Sequence, residues 1–154
     1  MLLVVEVELV EEYQILLVNL VDQVVAAAEA RSHDVDYVSN VLRRTYPRGL
    51  DTEAFFADVL ARVDRLATAA HHREHVTKFI LETPERFATA AVVDRDDHSD
   101  LRWTVDTPED LAMVRRIDAE LALAASPKPY REILAHVRRH PDIAAMNAGV
   151  EQKG

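Results

Sequence analysis

The stretch LRWTVDTPEDL, residues 101–111, joins a strand pattern directly to the start of a helix. Its first five residues alternate apolar and polar side chains, as a half-buried strand does. Thr107 can then cap a helix in which Pro108 takes the first position and Asp110 completes a capping box. Asp106 lies between the two elements and has no part in that cap. Because open α/β sheets bind ligands beyond the carboxyl ends of their strands, Asp106 is either a plain turn residue or a ligand residue of a site.

Strand and helix patterns alternate along the rest of the chain, which predicts an α/β fold. The segment 11–18 fits either a second strand or the first turns of the helix that follows it. Strands are predicted at residues 4–10, 36–41, 87–93 and 101–105, and helices at 18–30, 51–66, 72–81, 108–124, 130–139 and 141–148.

The composition is that of a globular domain, since 49% of the 154 residues are apolar and 29% are charged. The formal net charge of −9 argues against a general nucleic-acid-binding protein, which needs a basic face toward the phosphates. A small anionic ligand in a local basic pocket is compatible with that charge. The chain has no cysteine, which excludes disulfides, thiolate metal ligands and a thiol nucleophile.

The apolar N-terminal run MLLVVEVELVEEYQILLV has the features of neither a signal peptide nor a transmembrane helix. No Lys or Arg precedes Arg31, and glutamates at positions 6, 8, 11 and 12 interrupt the run. These carboxylates would be costly inside a bilayer. We therefore expect a soluble, cytoplasmic protein without a membrane partner.

Glycine is scarce, and the chain holds three, Gly49, Gly149 and Gly154. Loops that wrap a nucleotide phosphate usually need glycine for positive φ angles and for close backbone approach. Neither a G-x-G-x-x-G motif nor a P-loop occurs, so the sequence predicts no phosphate-binding loop of a familiar kind.

Two other clusters are candidates for binding chemistry. The loop RRTYPRGLD, residues 43–51, carries three arginines, which suit a bidentate anion site or, as the alternative, a solvated turn. The motif H-H-x-x-H at 71–75 has the spacing of metal ligands on one helix, but Arg73 within it would repel a cation. A surface or hydrogen-bonded histidine cluster is therefore the favoured interpretation.

Six runs along the chain together resemble one protein family. In order they are DYVSN, RTYPRGLDTEAF, REHVTKFI, PERF, DLRWTVDTPEDLAMVRRI and HPDIAAMNAGVEQK. The series resembles the C-terminal two-thirds of the spore coat polysaccharide biosynthesis SpsF-type proteins. These are cytidylyltransferase-like sugar nucleotidyltransferases, related to the enzymes that attach CMP to acidic sugars such as KDO and sialic acid. The resemblance covers about residues 19–154, and the runs RTYPRGLD and LRWTVDTPEDL make it specific.

The resemblance implies a partial glycosyltransferase-A-like, or Rossmann-like, nucleotidyltransferase fold, with a short mixed sheet flanked by helices and a helical C-terminal tail. It divides the chain into an unmatched segment 1–18, an α/β core 19–125 and the tail 126–154. The implied activity is that of a CTP:sugar cytidylyltransferase. A sugar hydroxyl would attack the α-phosphate of CTP and release pyrophosphate, with Mg²⁺ stabilising the transferred group.

The resemblance also implies roles for individual residues. Asp106 matches the second of two acidic Mg²⁺ ligands. The lobe that faces the acceptor sugar is matched by the substrate-binding candidates Arg48, Gly49, Asp51, Arg73, Glu74 and His75. Within that set, Arg48 and Arg73 are candidates for anchoring a carboxylate or a phosphate of the sugar.

Two family motifs have no counterpart in this sequence. They are the nucleotide-wrapping loop Q-A-R-M-G-S-T-R-L-P-G-K and the later G-D-x-P, whose Asp is the first metal ligand. We therefore expect a truncated cytidylyltransferase-like protein of polysaccharide or acidic-sugar biosynthesis that is not catalytic on its own. Its expected ligand is an acidic sugar or sugar phosphate, not CTP. The alternatives are a subunit that completes a CTP- and Mg²⁺-dependent nucleotidyltransferase with another chain, and a sugar-binding or oligomerisation module.

The missing N-terminal strands of the family fold would leave an apolar sheet edge. The hydrophobic segment 1–18 is expected to cover that edge, either within the chain or across a dimer. For this reason we expect a homo-oligomer.

Overall fold

The structure, a computed structural model, describes residues 2–5, 18–75 and 77–151. The predicted strand residues 6–10 and the segment 11–17 lie outside these ranges. The elements in chain order are β1 (Leu2–Val5), α1 (Val18–Ala30), β2 (Tyr37–Ser39), β3 (Glu53–Phe56), α2 (Ala57–Leu66), α3 (Ala70–Glu74), α4 (Lys78–Glu82), β4 (Thr89–Ala91), α5 (Pro108–Leu121), α6 (Tyr130–Arg139) and α7 (Pro141–Ala144). Within the described ranges, none of the helices combines the length and the apolar character that spanning a membrane requires.

The chain folds as two compact units. The described residues of the first unit are 2–5, 22–43, 52–75 and 77–93, and those of the second unit are 18–21, 44–51 and 94–151. The first unit therefore contains all four strands, and the second contains helices α5, α6 and α7.

The first unit is built on a four-stranded mixed sheet in the order β1-β3-β2-β4. Strand β3 pairs antiparallel with both β1 and β2, whereas β2 and β4 are parallel. Strand β1 pairs with one side of β3 and is itself an edge strand. Residues 2–5 of the segment 1–18 therefore cover one side of β3 within this chain. The predicted α/β fold with a short mixed sheet and flanking helices is confirmed.

Aromatic and aliphatic side chains pack helix α2 against this sheet. Val59 and Val63, four residues apart, form the buried face of α2. Within the same core the Tyr37 hydroxyl donates a hydrogen bond to Glu53, which gives a buried carboxylate a partner. The core consists of Tyr37, Phe55, Val59, Val63, Ala67, Phe79, Ile80 and Phe87.

The predicted helix 51–66 is wrong in its first part, because Glu53–Phe56 forms strand β3 and helix α2 begins at Ala57. Phe55 fits the apolar face of a helix as well as that of a strand. Pairing with β1 on one side and β2 on the other decides between them, and no local signal reports that pairing.

Several other elements are shorter than their patterns predict. The predicted helix 72–81 is replaced by the two short helices α3 and α4, with Val76 between them outside the described residues. The predicted strand 101–105 is reduced to a single parallel bridge between Arg48 and Arg102. The strands predicted at 36–41 and 87–93 are confirmed as the three-residue strands β2 and β4.

In the second unit Trp103 is fully buried and packs against helix α6. The ring of Trp103 meets the Tyr130 ring of α6 edge-on, with 6.0 Å between the ring centroids. The Tyr130 ring also contacts the ring of Tyr46, with 5.6 Å between the two ring centroids. This packing holds the stretch 101–111 in place at the start of helix α5. The buried apolar residues of α5 and α6 are Met113, Val114, Ile117, Tyr130, Ile133, Leu134 and Val137.

Replacing Phe55 with Ala should lower the free energy of unfolding by about 3–5 kcal/mol, because it opens a cavity in the centre of the sheet. Phe56→Ala is the matched control, since Phe56 is the next residue of the same strand and is only partly buried. The control should lose clearly less. Urea unfolding followed by far-ultraviolet circular dichroism measures both variants, and equal losses would contradict the alternation of a strand at these positions.

Candidate functional site

The carboxylate of Asp110 is the centre of a buried hydrogen-bond network in the second unit, and its side chain is 0% exposed. Arg102 donates to it twice, through Nε at 3.0 Å and through Nη2 at 2.9 Å. The Thr104 hydroxyl (3.2 Å) and the backbone N–H groups of Asp106 (3.1 Å) and Thr107 (3.3 Å) donate to its Oδ2. The N–H of Asp110 in turn donates to the Thr107 hydroxyl, so the predicted capping box is confirmed.

Asn147 connects the C-terminal part of the chain to this network. Its side-chain Nδ2 donates to Asp110 at 2.7 Å and to the backbone carbonyl of Arg102 at 2.9 Å. Asn147 is buried, and its amide supplies donors to the carboxylate without adding a charge.

Asp110 and Arg102 form an ionised pair in this environment. Burial by itself would raise the pKa of Asp110, but the hydrogen bonds from Arg102, Asn147 and the Asp106 N–H outweigh burial and lower that pKa to about 2. The hydrogen bond to Asp110 raises the pKa of Arg102 above its usual value. Both groups therefore stay charged at every pH near neutrality.

Asp106 lies at the exposed border of the network. Its side chain is 52% exposed, and its Oδ2 accepts a hydrogen bond from Arg102 at 2.8 Å. Bound Mg²⁺ commonly uses one or two carboxylates together with substrate phosphates. Asp106 fits as one such ligand through its second oxygen and does not form a complete site. Among the residues that the structure describes, the three-residue clusters able to hold a metal do not include Asp106, so its role as a metal ligand stays a prediction.

Gly49 is required by the close approach of its loop to the stretch LRWT. Its φ is +97°, and a Cβ at this position would lie 2.7 Å from the nitrogen of Thr104 and 2.8 Å from the carbonyl oxygen of Trp103. The N–H of Arg48 donates to the carbonyl of Leu101 at 2.9 Å, and the N–H of Trp103 donates back to the carbonyl of Arg48 at 2.7 Å. This backbone pairing fixes the position of Arg48.

Asp51 closes the same loop by a bidentate ion pair with Arg44, at 2.5 and 2.7 Å. The hydrogen bond to Asp51 raises the pKa of Arg44. Both carboxylate oxygens of Asp51 thus hold the loop together, and its role in binding a substrate stays a prediction.

A cavity of about 170 Å³ opens beside Arg48. Asp100 in its wall is paired with Arg138 at 2.6 and 2.7 Å, so that carboxylate is already neutralised. Arg48 itself is exposed, and in the described part of the chain no carboxylate pairs with its guanidinium. Arg48 therefore places a cation beside the cavity, and its role in binding a substrate stays a prediction. The polar residues that line the cavity are Arg48, Ser99, Asp100, Arg102 and Asn147.

The remaining sugar-site candidates, Arg73, Glu74 and His75, are exposed residues of the first unit at the end of helix α3. Arg73 pairs with Asp64 at 3.0 Å, and both side chains are exposed. A role of these three residues in binding a sugar stays a prediction.

The histidines that precede them form a hydrogen-bonded surface group. The Nε2 atoms of His71 and His72 lie 3.5 and 2.7 Å from Oε2 of Glu82 in helix α4. The hydrogen bond from His72 lowers the pKa of Glu82. Among the described residues, this three-residue cluster does not include His75.

Arg102 and Asn147 are site residues that sequence reasoning missed. Arg102 carries a weak signal, because a charged side chain stands inside an alternating strand pattern, four residues before Asp106. Asn147 carries none, since its partners Asp110 and Arg102 lie 37 and 45 residues away.

The fold is shared with a nucleotidyltransferase of known structure. The solved structure of a cytidylyltransferase from Leptospira borgpetersenii serovar Hardjo-bovis matches with a TM-score of 0.79 and 21% sequence identity. The match covers 90% of this chain and 57% of that one. The nucleotidyltransferase fold implied by the sequence resemblance is thereby confirmed.

A sequence relative has about twice the length of the matched region. The uncharacterized protein MJ1063 of Methanocaldococcus jannaschii is 28% identical over 123 residues, which are 79% of this chain and 49% of that protein. The chain therefore spans about half the length of this curated relative. None of the protein-family models compared with the chain matches it.

Replacing Asp110 with Asn should lower the free energy of unfolding by about 3–5 kcal/mol, because it leaves the buried Arg102 guanidinium with only the exposed Asp106 as a counter-charge. Asp106→Asn is the matched control, since Asp106 contacts the same guanidinium from an exposed position and should cost less than about 1 kcal/mol. Chemical unfolding at pH 7 measures both. Similar losses in the two variants would contradict the central role of Asp110.

The same pair predicts a dependence of stability on pH. The folded pKa of Asp110, about 2, lies below its ordinary value of 3.8, so its contribution is fully present above pH 4 and is lost as the pH falls toward 2. The shift corresponds to roughly 2 kcal/mol. Unfolding curves recorded between pH 5 and pH 2 should therefore show a shallower loss of stability in Asp110→Asn than in the parent protein.

Proposed function

We propose that this chain is the acceptor side of a cytidylyltransferase-type sugar nucleotidyltransferase, a module that binds an acidic sugar or sugar phosphate and does not transfer a nucleotide on its own. The shared fold supports the class of protein. The observation that carries the proposal is the exposed Arg48 guanidinium beside a cavity whose other charged groups are already paired.

Arg48 suits a carboxylate or phosphate because a guanidinium presents two parallel N–H donors to two oxygens. Its backbone is held by two hydrogen bonds to residues 101 and 103, and the Cα of Arg48 is therefore fixed relative to the cavity. Asn147 adds a rigid polar wall, since its amide is already committed to Asp110 and Arg102. The anionic group of a ligand would therefore pair with the Arg48 guanidinium, beside side chains that are already held in place.

The size of the cavity favours a small ligand over CTP. Small-molecule sites typically measure about 300–1,000 Å³, whereas this cavity measures about 170 Å³. It holds the anionic end of a sugar and not a nucleoside triphosphate. The absence of a glycine-rich phosphate loop from the sequence supports the same conclusion.

A second candidate function rests on Asp106. Its half-exposed carboxylate stands at the start of helix α5, where it can become one of two acidic ligands once another polypeptide supplies the CTP-binding half. Mg²⁺ bound in that assembly would stabilise charge on the transferred phosphoryl group. In this assembly Arg48 would orient the acceptor sugar, and Arg102 would hold Asp106 in place through Oδ2.

Isothermal titration calorimetry of the isolated chain tests the acceptor-side proposal. An acidic sugar such as N-acetylneuraminic acid or KDO should bind, and Arg48→Ala should weaken it by about 10–100-fold, because a hydrogen bond to a charged group contributes roughly 1.5–3 kcal/mol. CTP with Mg²⁺ should give no binding heat.

Arg43→Ala is the matched control, since Arg43 is an exposed arginine shortly before Arg48 and should leave the sugar affinity unchanged. Micromolar CTP affinity that disappears in Asp106→Ala would overturn the acceptor-side proposal, because the isolated chain would then bind the nucleotide through Asp106. Equal weakening in the two arginine variants would mean that net charge, and not the cavity, attracts the ligand.

A further inference from the structure

Helices α5 and α6 bring a second group of metal-type ligands together within the second unit. Glu120 lies in the last turn of α5, His136 in the last turn of α6, and His140 directly follows α6. Their ligand atoms lie within 4.8 Å of one another. Nε2 of His136 is 2.8 Å from Oε2 of Glu120, and the two imidazole rings are 4.3 Å apart between centroids.

Neighbouring groups orient two of these ligands. Nδ1 of His140 lies 2.9 Å from the carbonyl oxygen of His136, which can only accept, so Nδ1 carries the proton and Nε2 is left as the metal-binding nitrogen. Arg116 donates to Oε1 of Glu120 at 2.8 Å and leaves Oε2 toward His136. Metal-binding histidines in proteins are typically fixed in this way through their other ring nitrogen.

The electrostatic surroundings tolerate a cation. Both histidines lie at the C-terminal end of α6, where the helix dipole favours positive charge. Arg116 contacts Glu120 and is also paired with Asp142 at 2.5 Å. Arg138 and Arg139 lie in the last turn of α6 as well; Arg138 is paired with Asp100, and Arg139 donates from Nε to the Ala135 carbonyl. The hydrogen bonds from Arg116 and then from His136 lower the pKa of Glu120, so this side chain is a carboxylate at neutral pH.

We propose that Glu120, His136 and His140 form a binding site for a divalent transition-metal ion, with zinc the best match. Two imidazole nitrogens and one carboxylate oxygen are typical zinc donors, and in a tetrahedral zinc site such atoms lie about 3.3 Å apart. A bound ion would draw together ligand atoms that now lie within 4.8 Å of one another. The fourth position falls to water, and the ion fastens the end of α5 to the end of α6.

The surface group of His71, His72 and Glu82 is the competing location for the same ion. The side chains of His71 and Glu82 are 51% and 45% exposed, that of His72 is 14% exposed, and all three residues belong to short helices. In contrast, His136 is buried between longer helices and therefore loses little conformational freedom when it binds a metal. We accordingly place the stronger site at Glu120, His136 and His140.

Titration of the full, untagged chain with Zn²⁺ against a chromophoric chelator, and with Co²⁺ by visible absorption, tests this site. One ion should bind per chain, and bound cobalt should show the intense absorption of tetrahedral coordination. His140→Ala should weaken zinc by at least about tenfold and remove the cobalt bands. Glu120→Gln, which keeps the size of the side chain, should do the same and serves as the second variant if His140→Ala does not fold.

His72→Ala is the matched control, because it removes a histidine from the competing surface group and should leave the affinity unchanged. Two results would overturn the proposal. One is a parent chain that takes up no zinc at about 100 µM, because a site stabilises the folded chain only where the free ion reaches its Kd. The other is zinc binding that survives in both His140→Ala and Glu120→Gln but is lost in His72→Ala.

Discussion

Six donor groups converge on one buried carboxylate, that of Asp110, and the organisation of the second unit depends on this convergence. A charge removed from water costs several kcal/mol unless it is paired and hydrogen-bonded. The donors come from residues 102–107, which precede helix α5, and from Asn147 near the C-terminus. The Asp110 carboxylate therefore completes the cap of α5, orients the Arg102 side chain and binds Asn147 near the C-terminus. A change in one of these three features affects the other two.

The fold was predictable where the signals are local. Thr107, Pro108 and Asp110 predict the start of α5, because a capping box involves residues within one turn. Strand β3 was not predictable in the same way, since Phe55 is equally acceptable on a helix face and only its neighbours β1 and β2 make it a strand. The lengths of β2 and β4 were not predictable either, because each strand has three residues, too few to show a periodic pattern.

The candidate site follows the same division. Gly49 is a substrate-binding candidate from the resemblance, and its requirement for glycine comes from close contact with the backbone of Trp103 and Thr104, which no local signal reports. Asp51, a substrate-binding candidate from the resemblance, is paired with Arg44 within one short loop, a pairing that the charge pattern alone leaves ambiguous. The role of Asn147 could not be predicted, because the residues around it in the sequence give no sign of a partner 45 residues earlier.

The long sequence separation of that last contact has a consequence for how the chain acquires its cavity. Synthesis delivers the N-terminal residues first, so Arg102 and Asp110 emerge before Asn147 exists. Until then the buried carboxylate lacks one of its donors, and the loop-closure entropy of the 45-residue span has still to be overcome. The wall beside Arg48 is thus among the last surfaces to form, and a nascent chain can hold helix α5 before it presents a finished cavity to any ligand.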